Sequence, residues 1–298
     1  MFFKPLLLLL RYLPPVLYYQ FSNLLRWTAI RVVKYREDVV MSNLKSSFPR
    51  LSDSEIAKIA KKYYSNFCDV LVEPLISYSF KKKDWEKRVE LINYEPIEEY
   101  LKKGTAIILV AGHTANWEWG GFALKSKLGF PMEFLYKPIK HEGISKLMLA
   151  LRLKHAEKAI DKDKAMRVLV KNRREPRILA FVSDQMPSMG TEKKWIKFLE
   201  QETAFYVGAE RAAATFQYPV FYAHVERVKR GYYKVEHTQI SAPKYEKGID
   251  YKITEKFASK LEESVLSQPE AYLWSHKRWK YTKEEEAAAL ANLRATRS

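Results

Sequence analysis

A histidine and a glutamate with four residues between them, His113 and Glu118, are the first pair in this sequence suited to chemistry. They follow the apolar run Thr105-Ala106-Ile107-Ile108-Leu109-Val110-Ala111, which reads as a buried strand. An open α/β sheet places its ligands at the ends of such strands, so His113 belongs on a loop at the sheet rim. On one continuous helix an offset of five positions turns roughly 140°, and the two side chains would point apart. They meet only if His113 lies on the turn and Glu118 on the first turn of the helix that follows. Gly112 permits that turn, and Asn116 or Thr114 can cap the helix. A carboxylate that accepts one imidazole N–H fixes the tautomer and raises the basicity of the other nitrogen. That suits a general base acting on a hydroxyl. There is no Gly-x-Ser-x-Gly turn, Cys68 lies far off in a helical stretch, and the spacing is not that of His-Glu-x-x-His zinc peptidases. The expected reaction is direct acyl transfer to a hydroxyl deprotonated by His113.

The elements that must hold these residues alternate between apolar runs and helical stretches. Met132 to Tyr136 and Arg177 to Val182 read as further buried strands, the latter running into Ser183-Asp184-Gln185. Pro219 to Glu226 and Tyr232 to His237 read as strands joined at Lys229-Arg230-Gly231. Helices are expected over 164–174, 207–216 and 250–266. Residues 37–80 also read as helical, with a capping box at Ser52 and Glu55 and an inward face that includes Ala57, Ala60, Tyr63 and Tyr64. The charge run Lys81 to Arg88 reads as a loop or junction. Strands apolar on both faces, interleaved with helices, predict an α/β fold: a mixed, mostly parallel central sheet flanked by helices. The expected organisation is an interfacial segment over 1–34, an α/β domain over 35–283, and an Ala- and Glu-rich, solvent-facing or frayed tail over 284–298.

The first thirty residues differ in kind. Leu6 to Leu10, Leu13, Val16, Leu17, Phe21, Leu24, Leu25, Trp27 and Ile30 are apolar, while Arg11 and the Pro14-Pro15 pair argue against a straight spanning helix. Tyr and Trp beside an apolar stretch are typical of the headgroup level. An interfacial helical anchor is expected, with Arg26, Arg31, Lys34 and Arg36 toward anionic lipid. The competing reading is an amphipathic helix packed on the protein's own core.

The chain has 298 residues with 47% hydrophobic content, which excludes intrinsic disorder, and 52 Lys+Arg against 35 Asp+Glu give a net charge of +17. That charge favours anionic partners. A single cysteine excludes an internal disulfide and a cysteine-based zinc site. His141, His155, His224, His237 and His276 have no metal-ligand spacing and are read as structural.

The segment Gly112-His113-Thr114-Ala115-Asn116-Trp117-Glu118 resembles the His-x4-Asp/Glu motif of glycerolipid-type acyltransferases. Over almost its full length the chain resembles the late lipid A biosynthesis acyltransferases of Gram-negative bacteria. The matching features are Tyr35-Arg36 through Asn43-Leu44 and Phe48-Pro49, then Tyr136-Lys137-Pro138, Arg152 and Ser183-Asp184-Gln185. Lys197-Phe198-Leu199 through Phe205, Gly208 to Ala213, and Tyr272-Leu273-Trp274-Ser275-His276-Lys277-Arg278-Trp279-Lys280 complete them. Lys137 stands where arginine is usual, Leu199-Glu200 replaces Phe-Gly, and the Pro-Glu-Gly-Thr block of glycerol-phosphate acyltransferases is absent.

The resemblance implies His113 as general base with Glu118 as its orienting partner, and Asn116, Tyr136, Lys137, Arg152, Asp184, Gln185 and Arg278 at the substrate. Lys137, Arg152 and Arg278 would handle phosphates, while Asp184 and Gln185 would order the acceptor pocket. It implies an acidic acyl carrier protein as donor, a lipid A precursor hydroxyl as acceptor, no metal or cofactor, and the cytoplasmic face of the inner membrane. Two alternatives stand beside it. One is an acyltransferase of the same fold on another glycolipid or aminolipid; the other is a non-catalytic basic protein binding membrane or nucleic acid. No nucleic-acid motif is present, and the basic residues are dispersed.

Overall fold

The computed structural model describes residues 13–136, 141–161, 165–246 and 248–295. Lys137 and the apolar run Leu6 to Leu10 lie outside these residues.

Strand β2 (Ile107–Ala111) is buried at every position. It pairs in parallel with β5 (Ile178–Val182) on one side and β8 (Val220–Lys229) on the other. Beyond β5 lie β3 (Met132–Tyr136) and β4 (Lys158–Asp161), both parallel to it. Beyond β8 come β9 (Tyr232–Ser241), antiparallel, and the edge strand β1 (Val89–Ile92), parallel to β9. The order β1-β9-β8-β2-β5-β3-β4 is the expected mixed, mostly parallel sheet. The turn between β8 and β9 passes through Gly231 at φ +73, where a side chain would be strained.

Helices cover both faces, which explains why β2 has no polar side. Ile108 and Val110 join one core with Leu179, Phe181 and residues of α2 (Glu37–Ser47), α3 (Asp53–Ser77) and α10 (Lys252–Ser267). Ile107 and Leu109 join the other, with Trp119, Phe122 and Leu124 of α6 (Trp117–Leu128). Ser52 and Glu55 form the expected capping box at the start of α3.

Several elements differ from expectation. Lys81 to Arg88 is not a loop: Lys82–Arg88 forms α4, because Asp84 accepts from the Lys81 N–H and Trp85 is driven into the second core. Ala57 is exposed, and Ile56 takes the inward position. A separate hairpin of β6 (Lys193–Phe198) and β7 (Gln201–Tyr206) appears where no strands were expected. The tail forms α11 (Lys283–Ala295), and its Glu286 is buried against Lys193 rather than facing solvent. Other helices are α5 (Glu95–Lys102), α7 (Glu142–Arg152), α8 (Ala165–Lys171) and α9 (Gly208–Phe216).

The proline pair marks the start of α1 (Pro15–Arg31), with Pro14 as its extended N-cap and Pro15 as its first residue. Its inner side, of mixed polar and apolar residues, faces the protein. Tyr18 and Ser22 are buried, Ser22 Oγ donates to Asp69 Oδ1 at 2.6 Å, and Tyr19 Oη donates to Glu73 Oε1 at 3.2 Å. Arg227 and Arg230 of the β8–β9 hairpin close on the same Asp69. Tyr18, Tyr19 and Leu25 pack with the second core and Ile30 against the first, while Val16, Phe21, Leu24 and Trp27 on the outer side remain exposed. Among the described residues no helix is long and apolar enough to cross a membrane.

Candidate active site

His113 lies two residues past β2, and Asp184 two residues past its parallel neighbour β5, so the sheet register brings them to the same rim. His113 Nδ1 is 2.5 Å from Asp184 Oδ1, and the His113 backbone N–H donates to Asp184 Oδ2 at 3.0 Å. Both carboxylate oxygens are thus committed to one residue. Asp184 is 2% exposed. Burial alone would raise its carboxyl, but the His113 ring, the two hydrogen bonds and the Arg278 guanidinium outweigh it and hold the group below its usual value. A charged Asp184 fixes the proton on Nδ1 and leaves the Nε2 lone pair toward Gln185, whose Nε2 is 3.3 Å away.

Glu118 is not the partner of His113. It lies on the first turn of α6, as expected, but its Oε1 accepts from Arg152 Nε at 2.9 Å and Arg152 Nη2 at 2.5 Å. Arg152, the last residue of α7, reaches Glu118 across the cleft, while Asp184 occupies the imidazole's near side. Glu118 Oε2 is buried without a hydrogen-bond partner among the described residues.

Asn116 caps α6 through Oδ1, which accepts from the Trp119 N–H at 2.9 Å, and its Nδ2 donates to Glu73 Oε2 at 2.5 Å. With both side-chain atoms engaged and 1% exposure, it positions the helix rather than meeting a substrate. The turn's left-handed residue is Ala115, at φ +46, pinned by its N–H to Ala271 O at 2.8 Å. Gly112 is required for another reason: a Cβ there would collide with Leu261 of α10.

Arg278 is also displaced from its expected role. It is 1% exposed, does not line the cleft, and stacks over Phe205 at 4.5 Å to the ring centroid. The segment carrying it is tied down by the N-terminal motif. Asn43 Nδ2 donates to Trp274 O and His276 O at 2.8 and 2.9 Å, and Arg36 Nη1 to Ser275 O at 2.8 Å. Trp274 and Trp279 pack and hydrogen-bond within this segment's seat, to Pro269 O and Thr203 Oγ1. His276 Nε2 accepts from the Met186 N–H, and burial lowers the ring to about 4, so it is neutral.

A cleft of about 550 Å³ opens at His113. Glu118, Arg152, Tyr136 and Gln185 lie along it, and its walls are apolar, with Gly121, Phe122, Met132 and Phe134 on one side of the sheet. Leu169 and Phe181 line it from the other side. A Cβ on Gly121 would meet the end of the Met132 side chain at 3.5 Å, an ordinary van der Waals contact. A polar catalytic rim above an apolar slot fits a substrate with a reactive carbonyl or hydroxyl on a hydrocarbon chain.

The sequence model of the bacterial lipid A biosynthesis acyltransferase family matches residues 3–281. The chain is also similar to the lipid A biosynthesis lauroyltransferase of Escherichia coli (strain K12), with 23% identity over 257 residues, covering 85% of this chain and 81% of that protein. The match takes in the His113 loop, the Asp184 rim and the Arg278 segment together. The chain belongs to the bacterial lipid A biosynthesis acyltransferase family, and the activity this carries is acyl transfer in lipid A biosynthesis.

Proposed function

We propose that this protein moves a fatty acyl chain from an acyl carrier protein thioester to a hydroxyl of a lipid A precursor, with His113 as general base. The observation that carries the reading is the ring of His113: one nitrogen held by Asp184, the other at the mouth of an apolar cleft. Nε2 takes the acceptor hydroxyl's proton as its oxygen attacks the thioester carbonyl. The N-terminal turn of α6, which reaches the cleft at Trp117 and Glu118, offers backbone N–H donors to the developing oxyanion. Collapse breaks the C–S bond, and the imidazolium returns its proton to the departing thiolate. The products are an ester and a free carrier thiol, and the balance requires neither metal nor cofactor.

Asp184 takes the orienting role in this scheme. Glu118 and Arg152 form the polar lip of the cleft, where Arg152 meets an acceptor phosphate and the open Oε2 of Glu118 accepts from an acceptor N–H or O–H. The apolar outer side of α1, with Arg26 and Arg31 beside it, seats the protein on an anionic bilayer at the cytoplasmic face of the inner membrane. That placement brings the cleft to a lipid acceptor and leaves the basic surface to an acidic carrier protein.

The test is transfer from labelled acyl carrier protein to a tetra-acylated lipid A precursor in detergent. Wild type transfers, and His113→Ala loses transfer with an unchanged melt. A His113→Ala variant as active as wild type would overturn the reading. Histidine-dependent transfer to other membrane lipids alone would keep the chemistry and replace the acceptor.

A further inference from the structure

Arg278 poses a question of charge. It is buried to 1% exposure, its Nε and Nη2 have no hydrogen-bond partners among the described residues, and no carboxylate pairs with it directly. A guanidinium keeps its charge in such a place, and an uncompensated buried ion is strongly unfavourable. Its surroundings point toward His113. Nη1 contacts Met186 Sδ at 3.7 Å, two residues beyond Asp184. Tyr272, 3% exposed, bridges to Thr114, the residue after His113. The charges of Asp184 and Arg278 both act on the buried Tyr272 phenol, in opposite directions. The buried cation and the buried carboxylate therefore share one dry compartment, which Tyr272 joins to the His113 loop.

We propose that Arg278 and Tyr272 are positioning residues for the acyl transfer: a buried brace behind Asp184 that keeps its carboxylate charged and so holds His113 in the tautomer with the proton on Nδ1. The proposal rests on the reading of His113 as the general base. Neither residue touches the cleft, so neither meets substrate.

The ionisable groups facing Asp184 come from three elements. His113 stands on the β2 loop, Tyr222 on β8, and Tyr272, His276 and Arg278 on the C-terminal segment. Tyr222 is neutral, because burial pushes its phenol up and its hydroxyl shares a hydrogen bond with Ser264. His276 is neutral as well. Of these groups Arg278 is the one permanent cation. Removing it favours a proton on the Asp184–His113 pair, and both destinations disable the base. A proton on Asp184 releases the tautomer, and a proton on Nε2 occupies the lone pair.

The experiment is the pH profile of kcat/KM for wild type, Arg278→Gln, Arg278→Lys and Tyr272→Phe, with the His113 ring-nitrogen NMR shifts followed over the same pH range. The expected result is an acid limb moved to higher pH by about one unit in Arg278→Gln. Arg278→Lys restores most of that shift, and Tyr272→Phe moves the limb in the same direction by less. KM for the lipid acceptor stays near wild type. An unmoved limb in the variants that fold overturns the brace, and so does a rise in acceptor KM without a shift, which would make Arg278 a phosphate ligand. The NMR arm needs no substrate, so a wild type inactive on the chosen acceptor fails the proposed reaction and still leaves the brace to be judged.

Discussion

Asp184 and Glu73 are two buried carboxyls that their surroundings push in opposite directions. Asp184 sits under the His113 loop; Glu73, 0% exposed on α3, sits beneath the first turn of α6. Burial pushes both upward. At Asp184 the His113 ring, two short hydrogen bonds and the Arg278 cation reverse the push, and the group ends below its usual value. At Glu73 the partners are chiefly neutral donors: Tyr233 Oη at 2.7 and 2.9 Å, Asn116 Nδ2 at 2.5 Å and Tyr19 Oη at 3.2 Å. These donors and the charge of Arg227 do not offset burial, and Glu73 ends above its usual value. One carboxyl is kept as a charge for use by a histidine. The other is kept as a knot, tying α1, α3, β9 and the cap of α6 together.

The sharpest way to break this contrast is to remove each charge while keeping each shape. Asp184→Asn removes the charge that fixes the tautomer, and transfer is expected to fall by about 10²–10⁴-fold. Glu73→Gln keeps the shape and removes only the ionisable group, and transfer and melting temperature are expected to stay close to wild type. Steady-state kinetics beside a thermal melt on both variants checks the pair; equal losses in the two would erase the distinction.

A smaller effect separates shape from charge at the knot itself. Glu73→Ala leaves Tyr233 and Asn116 with buried polar atoms unpaired, at a cost of about 3 kcal/mol. Urea unfolding of Glu73→Ala against Glu73→Gln measures it. A cost shared by both variants would mean that Glu73 works as an ion.

The smallest effect is in acid and base. Because Glu73 is raised in the fold, its contribution is complete below its unfolded value of 4.5 and fades as pH rises through the folded value. Because Asp184 is lowered, its contribution is present above its unfolded value of 3.8 and is lost as pH falls through the folded value. Melting wild type against Glu73→Gln and Asp184→Asn across that range should therefore give differences with opposite slopes. Parallel slopes would contradict the assignment.

Much of the fold is legible in residue order, and the reasons for the exceptions are physical. β2 and β5 show as unbroken apolar runs because both faces are covered. β6 and β7 are obscured, since Lys193-Lys194-Trp195-Ile196-Lys197 sets charge beside charge and bulk beside bulk and so lacks the alternation of a half-buried strand. Their turn is made by Leu199 and Glu200 at φ +49 and +63, without a glycine or asparagine to announce it. The position of His113 and the helical start at Glu118 follow from local spacing, but the identity of the histidine's partner does not. Asp184 is 71 residues away and arrives through the parallel pairing of β2 with β5, which no local pattern reports. Arg278, expected at an acceptor phosphate, is instead buried in the packing of the C-terminal segment, a placement set by tertiary contacts that its local run of Lys, Arg and Trp does not report. Asp69 and Glu73 had a signal, two acids one helical turn apart on the buried side of α3, but charge on a helix ordinarily means solvent.

The hold of Arg36 and Asn43 on residues 274–276 also fixes when the protein becomes an enzyme. These contacts join positions more than 230 residues apart, so they are among the last that a growing chain can make. While a ribosome is still translating the sheet, α1 has already emerged with its apolar side uncovered. The segment that braces Asp184 does not yet exist. Transfer therefore has to wait for the end of the chain, however early the helices and the sheet are made.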